Sequence, residues 1–159
     1  MGEYKNFLDE GINLIHQCKF EKAIENISKS IEIKNDWEIS YFYRAVAYHA
    51  NEQLNEAILD YTKALKINPK MTDAYYNRAK IMLEKKDVDI NIDKAIDDLS
   101  KALELDEKFI DALFAMAAAQ KKKGNYNLAL EYLDKLLKLQ PDSVHARALK
   151  KLLLQKYIV

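Results

Sequence analysis

Three side chains in the first third of the chain are of the kinds that bind transition metals or act as nucleophiles. His16, Cys18 and His49 supply two imidazoles and a thiol, which are ligands for zinc or copper, and a cysteine close to a histidine can be a nucleophile. Structural zinc normally takes four ligands from closely spaced pairs, which this sequence lacks. A nucleophile also needs an orienting group and an oxyanion pocket. We therefore predict no metal, no cofactor and no catalytic residue, and we interpret Cys18 as a small residue at a turn.

A second candidate for metal binding is an acidic segment in the middle of the chain. Asp87, Asp89 and Asn91 alternate with apolar residues, as ligands do at the start of an EF-hand calcium loop. The pattern then fails, because Ile92 stands where the sharp turn needs glycine and Asp98 stands where a glutamate should close the loop. The preferred interpretation is a longer turn between two helices, in which Asp87 or Asn91 caps a helix.

The composition argues against several classes of protein. Among 159 residues, Lys+Arg and Asp+Glu both number 25, so the formal net charge is zero. A protein that binds nucleic acid normally has a basic excess, so we predict no nucleic-acid partner. The N-terminus lacks the basic and apolar segments of a signal peptide, and no apolar run reaches the roughly 20 residues that cross a bilayer. These features predict a cytoplasmic protein without membrane association.

The elements that must position any site are helices, and they repeat. Four alanines, each followed by isoleucine or leucine, recur at intervals of 34, 38 and 34 residues. They are Ala23, Ala57, Ala95 and Ala129. Periods in this range are typical of stacked helical repeats, each of which buries its apolar face against its neighbours. Small residues recur where two helices must approach closely, and large residues recur where one helix fills the groove of another. The sequence therefore predicts a series of helical hairpins.

These residues resemble the tetratricopeptide repeat (TPR) pattern. The clearest match consists of Tyr41, Ala45, Tyr48, Ala57, Tyr61, Ala64 and Pro69. The same spacing recurs from Tyr75 and from Leu113, and in degenerate form from Phe7. The resemblance implies an all-α fold, a right-handed superhelix of antiparallel helical hairpins or α-solenoid, in a single domain covering residues 1–159. The expected repeats are about 4–37, 38–71, 72–109 with four inserted residues, and 110–143; a capping helix at about 142–157 would cover the stack with Leu149, Leu152 and Leu153.

Charged residues covary between repeats. Arg44 and Arg78 occupy equivalent positions, and so do Asp60 and Asp98. Where the arginine is replaced, by Glu10 or Met116, the aspartate is also replaced, by Asn26 or Tyr132. This pattern predicts two structural ion pairs, Arg44–Asp60 and Arg78–Asp98, each joining the two helices of one hairpin.

The resemblance also implies that the first helix of each hairpin lines a concave groove. The residues expected to bind a partner there are Leu8, Ile12, Ile39, Phe42, Val46, His49, Tyr76, Lys80, Phe114, Lys121 and Lys122. The alternative is that these side chains pack against neighbouring helices. Of the positions that hold a chaperone's acidic tail in this family, only Lys80 matches. We therefore predict a non-catalytic adaptor for an apolar or amphipathic peptide or helix, and the alternative is a self-assembling homodimer formed through repeat ends or groove.

Overall fold

The computed structural model describes residues 2–84 and 88–157, and it describes side chains except those of residues 88–91. In these residues it is all-α. The helices are α1 Glu3–His16, α2 Phe20–Ile33, α3 Glu38–Ala50, α4 Leu54–Ile67, α5 Thr72–Glu84, α6 Val88–Leu105, α7 Ile110–Lys122, α8 Tyr126–Leu139 and α9 Val144–Lys156. The chain forms two compact units, Met1–Ile81 and Met82–Val159, so the third expected repeat is divided between them.

In the first unit, α1 packs against α2 and α3 packs against α4, and α2 also contacts α3. The alanines that define the period, Ala23 and Ala57, are fully buried. The hydroxyl groups of Ser30 and Ser40 hydrogen-bond to each other at 2.9 Å between α2 and α3. Small residues therefore allow the close approach of helices that the sequence pattern predicts.

In the second unit, α7 packs against α6 and α8, and α9 packs against α8. Ala95 and Ala129 are fully buried. The last helix covers the core with Leu153, which is fully buried, and with the half-buried Leu149. Leu152, which we expected to cover the same core, is 41% exposed, because it lies a quarter turn away from the face centred on Leu153.

Three hairpin turns share one backbone conformation. Cys18, Glu52 and Gly124 occupy the equivalent turn position, and each has a positive φ, of 57°, 60° and 85° respectively. The amide that follows each of them donates to a carbonyl five residues earlier, as in Lys19 N to Leu14 O at 2.9 Å. This is a Schellman arrangement, which satisfies the last carbonyls of the helix. The placement of Cys18 in a turn agrees with its interpretation from sequence.

The four inserted residues lengthen a helix. Helices α2, α4 and α8 have 14 residues each, whereas α6 has 18. All four end at the equivalent position, so α6 gains one turn at its N-terminal end. The expectation of a longer connecting turn capped by Asn91 is therefore wrong, because Asn91 lies inside α6. Asp87, the other predicted cap and a possible calcium ligand, lies outside the described residues.

Candidate functional site

The predicted Arg44–Asp60 pair is present and joins α3 to α4. Arg44 Nε donates to Asp60 Oδ2 at 2.6 Å and Nη2 donates to Oδ1 at 3.0 Å. The same guanidinium donates to Ser28 Oγ of α2 at 3.0 Å and lies over the rings of Tyr41 and Tyr48. Burial alone would lower the pKa of Arg44, but the hydrogen bonds and charge of Asp60 raise it above its ordinary value. One arginine therefore ties three helices together.

The second predicted pair stays a prediction, because Arg78 and Asp98 belong to different units. Within the first unit, Arg78 Nη1 donates to Thr62 Oγ1 at 2.8 Å. Thr62 occupies the position equivalent to Ser28, so the contact between each arginine and a hydroxyl of the preceding hairpin is repeated. Asp98 is buried.

Most of the predicted binding residues of the first unit are half-buried and take part in the fold. The ring of Phe42 lies edge-on to Tyr43 and Tyr61, with centroid distances of 5.4 and 5.7 Å. Val46 packs against the same core cluster as Phe42. Ile12 and Ile39 pack against a neighbouring cluster. His49 and Tyr76 are half-buried, and Lys80 is exposed.

Leu8 does not line the groove in which we predicted it. Its side chain is 2% exposed and belongs to a core cluster with Ile27, Ile31 and Tyr41. Helix α1 packs against both α2 and α3, so a residue on its inner face is covered by the next hairpin. Leu8 is therefore part of the core and is inaccessible to a partner.

Tyr61 fixes α5 to α4 beneath Phe42. Its side chain is 1% exposed, and its hydroxyl hydrogen-bonds with the Asn77 side chain. Burial raises the pKa of the Tyr61 phenol well above its ordinary value, and the hydrogen bond with Asn77 acts in the opposite direction. Because Tyr61 is held in place, the ring of Phe42 rests on a rigid support.

The second unit has an open cleft between α7 and α9, which we call the C-terminal cleft. Its volume is about 440 Å³, and it is lined by Phe114, Ala118, Lys121, Lys122 and Leu149. Three of these residues were predicted from the sequence. Ala118 occupies the position equivalent to Val46, so the same repeat spacing places it on the predicted groove face, whereas Leu149 was expected only to cover the stack. An apolar floor with two lysines suits a segment that carries an apolar side chain next to acidic residues.

Among the described residues, the candidate zinc or copper ligands His16, Cys18 and His49 do not form a metal-binding group. Within the described parts of the chain, no group of three or more His, Cys, Asp or Glu side chains could hold a metal ion. Cys18 is exposed. In residues 2–84 and 88–157, moreover, every helix is too short or too polar to cross a membrane.

Sequence comparisons identify the same repeat family. A family model described as TPR repeat matches residues 47–86, and one described as Tetratricopeptide repeat matches residues 91–153. A curated relative, the tetratricopeptide repeat and J domain-containing co-chaperone DNJ1 of Cryptococcus neoformans, is 27% identical over 86% of this chain. The chain spans only 28% of the length of that relative.

Structural comparisons agree on the fold. The crystal structure of MamA protein has a TM-score of 0.87 and 21% identity, and the match covers 98% of this chain and 83% of that one. The first TPR of Spaghetti (RPAP3), solved bound to the HSP90 peptide SRMEEVD, has a TM-score of 0.72 and 20% identity. That match covers 77% of this chain and 94% of the other.

Proposed function

Because the chain belongs to the tetratricopeptide repeat family, we propose that it is a non-catalytic adaptor that binds a peptide or helix of a partner protein. Proteins of this family generally mediate protein–protein interactions. The observation that carries the proposal here is the C-terminal cleft, in which Phe114, Ala118 and Leu149 form an apolar surface beside Lys121 and Lys122. A preformed cleft on rigid helices binds a segment at a low ordering cost on its own side.

The partner segment is amphipathic, with an apolar side chain for the cleft and acidic residues for the lysines. Lys122 is exposed and Lys121 is half-buried, so their charges accelerate encounter more than they deepen affinity. The HSP90 peptide SRMEEVD belongs to the RPAP3 structure. A carboxylate clamp of that kind is not expected here, since Leu8 is buried and Ile12, Val46 and Tyr76 stand at positions where the family's clamp has polar or basic residues.

In the first unit, we assign a supporting contact surface to Ile12, Ile39, Phe42, Val46, His49, Tyr76 and Lys80. All of these side chains except the exposed Lys80 are half-buried, and Ile12, Ile39, Phe42 and Val46 pack against core clusters while keeping part of their apolar area accessible. Because Phe42 contacts Tyr43 and Tyr61, its loss would affect both stability and binding. A variant that blocks the C-terminal cleft is therefore a cleaner test than the truncation of Phe42.

The test introduces one arginine in either of two places. Ala118→Arg puts a long side chain into the C-terminal cleft, and Ala148→Arg puts the same side chain on the exposed face of α9. Proteins captured on each immobilised variant are quantified by mass spectrometry against the unchanged chain. We expect Ala118→Arg to lose the specific partner and Ala148→Arg to retain it. Equal capture by both variants would overturn the proposal.

Self-association is the second candidate function, and the exposed face of α9 favours it. Val144, Leu152 and Leu154 are 73%, 41% and 45% exposed, and packing against a second copy of the chain would remove their apolar area from water. Light scattering at two concentrations measures the mass directly. A mass that doubles with concentration and returns to the monomer value in Leu152→Glu would favour this function. A constant monomer mass would exclude it.

A further inference from the structure

We propose that helices α6 and α8 carry a second binding site, which accepts an acidic protein segment through one large apolar side chain. The site shares no residue with the C-terminal cleft. It is therefore independent of the function proposed above. We call it the α6–α8 slot.

The slot lies where an arginine is found in another hairpin. In the second hairpin, formed by α3 and α4, the Arg44 guanidinium lies between Ser28 and Asp60 and over the ring of Tyr41. The fourth hairpin, formed by α7 and α8, lacks this arrangement. The residues equivalent to Arg44, Ser28, Asp60 and Tyr41 are Met116, Ser100, Tyr132 and Leu113.

Three of these equivalent residues line a cavity. Ser100, Tyr132 and Leu113 all contribute to the walls of a space of about 550 Å³. Met116 is 1% exposed and extends into the core. Ser100 Oγ donates to Ile96 O of its own helix at 2.8 Å, so its hydrogen bond is satisfied without a guanidinium. The replacement of the arginine and aspartate therefore coincides with an open space between α6 and α8.

The walls of the slot are apolar and its rim is basic. Leu103 and Leu139 also line it, and Leu139 is 43% exposed. The charged lining residues are Lys108, Lys135, Lys138, Glu104 and Glu107. Glu104 is already paired with Lys101 at 2.6 Å, so the three lysines outweigh the remaining glutamate. Lys135 Nζ lies 5.1 Å from the centre of the Tyr132 ring, which places positive charge over the apolar wall.

This combination selects the chemistry of the occupant. A large apolar side chain would displace water from Leu103, Leu113 and Tyr132, and flanking carboxylates would complement the lysines. The lysines would repel a basic segment. A segment without an apolar side chain would leave the apolar walls of the slot hydrated. We therefore assign the slot to a segment of another protein in which acidic residues flank a leucine or an aromatic residue.

The experiment uses a defined probe, the acetylated peptide Glu-Glu-Phe-Glu-Glu labelled with fluorescein, and measures its anisotropy as the full chain is added. Saturable binding below about 1 mM is expected. The same peptide with a central alanine should bind about tenfold more weakly. The variant Lys135→Glu, Lys138→Glu, whose changes are both at exposed positions, should also weaken binding about tenfold. Absence of saturable binding, or equal binding of the alanine peptide, would overturn the proposal.

A second variant fills the slot. Met116→Arg combined with Tyr132→Asp rebuilds the arrangement of the second hairpin, and it should abolish binding while the helix content by circular dichroism stays unchanged. If this variant does not fold, the lysine variant still decides the question. Because the probe also carries the apolar and acidic groups that suit the C-terminal cleft, its binding is also measured in Ala118→Arg, which blocks that cleft. The saturable phase that the lysine variant weakens should persist there, with an affinity within about twofold. Loss of binding in Ala118→Arg alone would show that the probe occupies the C-terminal cleft, and the slot would be refuted.

Discussion

The second and fourth hairpins hold their helices together by different means. In the second, Arg44 bridges α3 and α4 through two hydrogen bonds to Asp60 and reaches Ser28 of the preceding helix. In the fourth, Met116 and Leu133 fill the corresponding core with apolar side chains. A repeat fold therefore tolerates either an ion pair or apolar side chains at one position. The Arg44 side chain occupies space that stays open where Met116 replaces the arginine.

The aromatic residues at one repeat position show the same contrast. Phe42 is fixed by edge contacts to Tyr43 and Tyr61, whereas Phe114 lines an open cleft beside α9. Both side chains are half-buried and pack against a core cluster, so equivalent positions have similar burial but different surroundings.

Removing one member of the ion pair tests the first half of this contrast and has the largest expected effect. Asp60→Ala leaves Arg44 partly buried without its carboxylate, so the free energy of unfolding should fall by about 3 kcal/mol. Chemical denaturation monitored by circular dichroism measures the loss. The control is Asp134→Ala, which removes the exposed Lys150–Asp134 pair and should cost about 1 kcal/mol or less. Equal effects of the two changes would contradict the account.

Replacing the ion pair with the residues found in the fourth hairpin sharpens the comparison. In Arg44→Met, Asp60→Tyr the second hairpin acquires the residues of the fourth, and no charge is left unpaired. We expect this double variant to lose about 1.5 kcal/mol, roughly half the loss in Asp60→Ala. Ser28 can then donate to its own helix, as Ser100 does. A loss greater than that of Asp60→Ala would show that the pair itself is indispensable.

Alkaline pH should affect the second hairpin through Tyr61, whereas the equivalent residue of the fourth hairpin is Leu133, which does not titrate. Burial raises the pKa of this phenol in the folded state, so the stabilising contribution is complete below the ordinary tyrosine pKa of about 10 and is lost as pH rises above it. Each pH unit should cost about 1.4 kcal/mol. Between pH 9 and 11, the free energy of unfolding should therefore fall less steeply with pH for Tyr61→Phe than for the unchanged chain. Identical slopes would contradict the assigned burial.

The hairpin turns give the smallest expected effects. Gly124 has a φ of 85°, and a Cβ added there would meet no atom within 4 Å. Gly124→Ala should therefore destabilise by about 1 kcal/mol through backbone strain alone. Glu52 has a φ of 60° at the equivalent position, and Glu52→Gly should stabilise by about 0.5 kcal/mol. Thermal melts measure both, and changes of the same sign would contradict the shared turn geometry.

Much of the fold is predictable from the sequence because small residues mark helix contacts. Ala23, Ala57, Ala95 and Ala129 are all fully buried, as their period requires. The Arg44–Asp60 pair is also predictable, since the two residues are replaced together in other repeats. The extension of α6 was missed because a helix can absorb four residues as one extra turn without disturbing the repeat that follows.

The candidate site is less predictable, because repeat equivalence does not determine what covers a residue. Leu8 and Phe114 share a repeat position, yet α2 and α3 cover Leu8, whereas Phe114 borders a cleft. Leu149 completes that cleft from α9, which begins 34 residues after α7 and so takes the place of the first helix of a further hairpin. The α6–α8 slot was missed because its defining feature is the space left where the arginine and aspartate are replaced.

The central claim is that a partner segment enters the C-terminal cleft, and one ratio tests it most directly. Partner retention on Ala118→Arg is divided by retention on Ala148→Arg, with both variants folded and carrying the same added charge. The account predicts a ratio near zero, because only the first arginine occupies the cleft. A ratio near one would contradict the claim that the cleft between α7 and α9 is where this chain binds its partner.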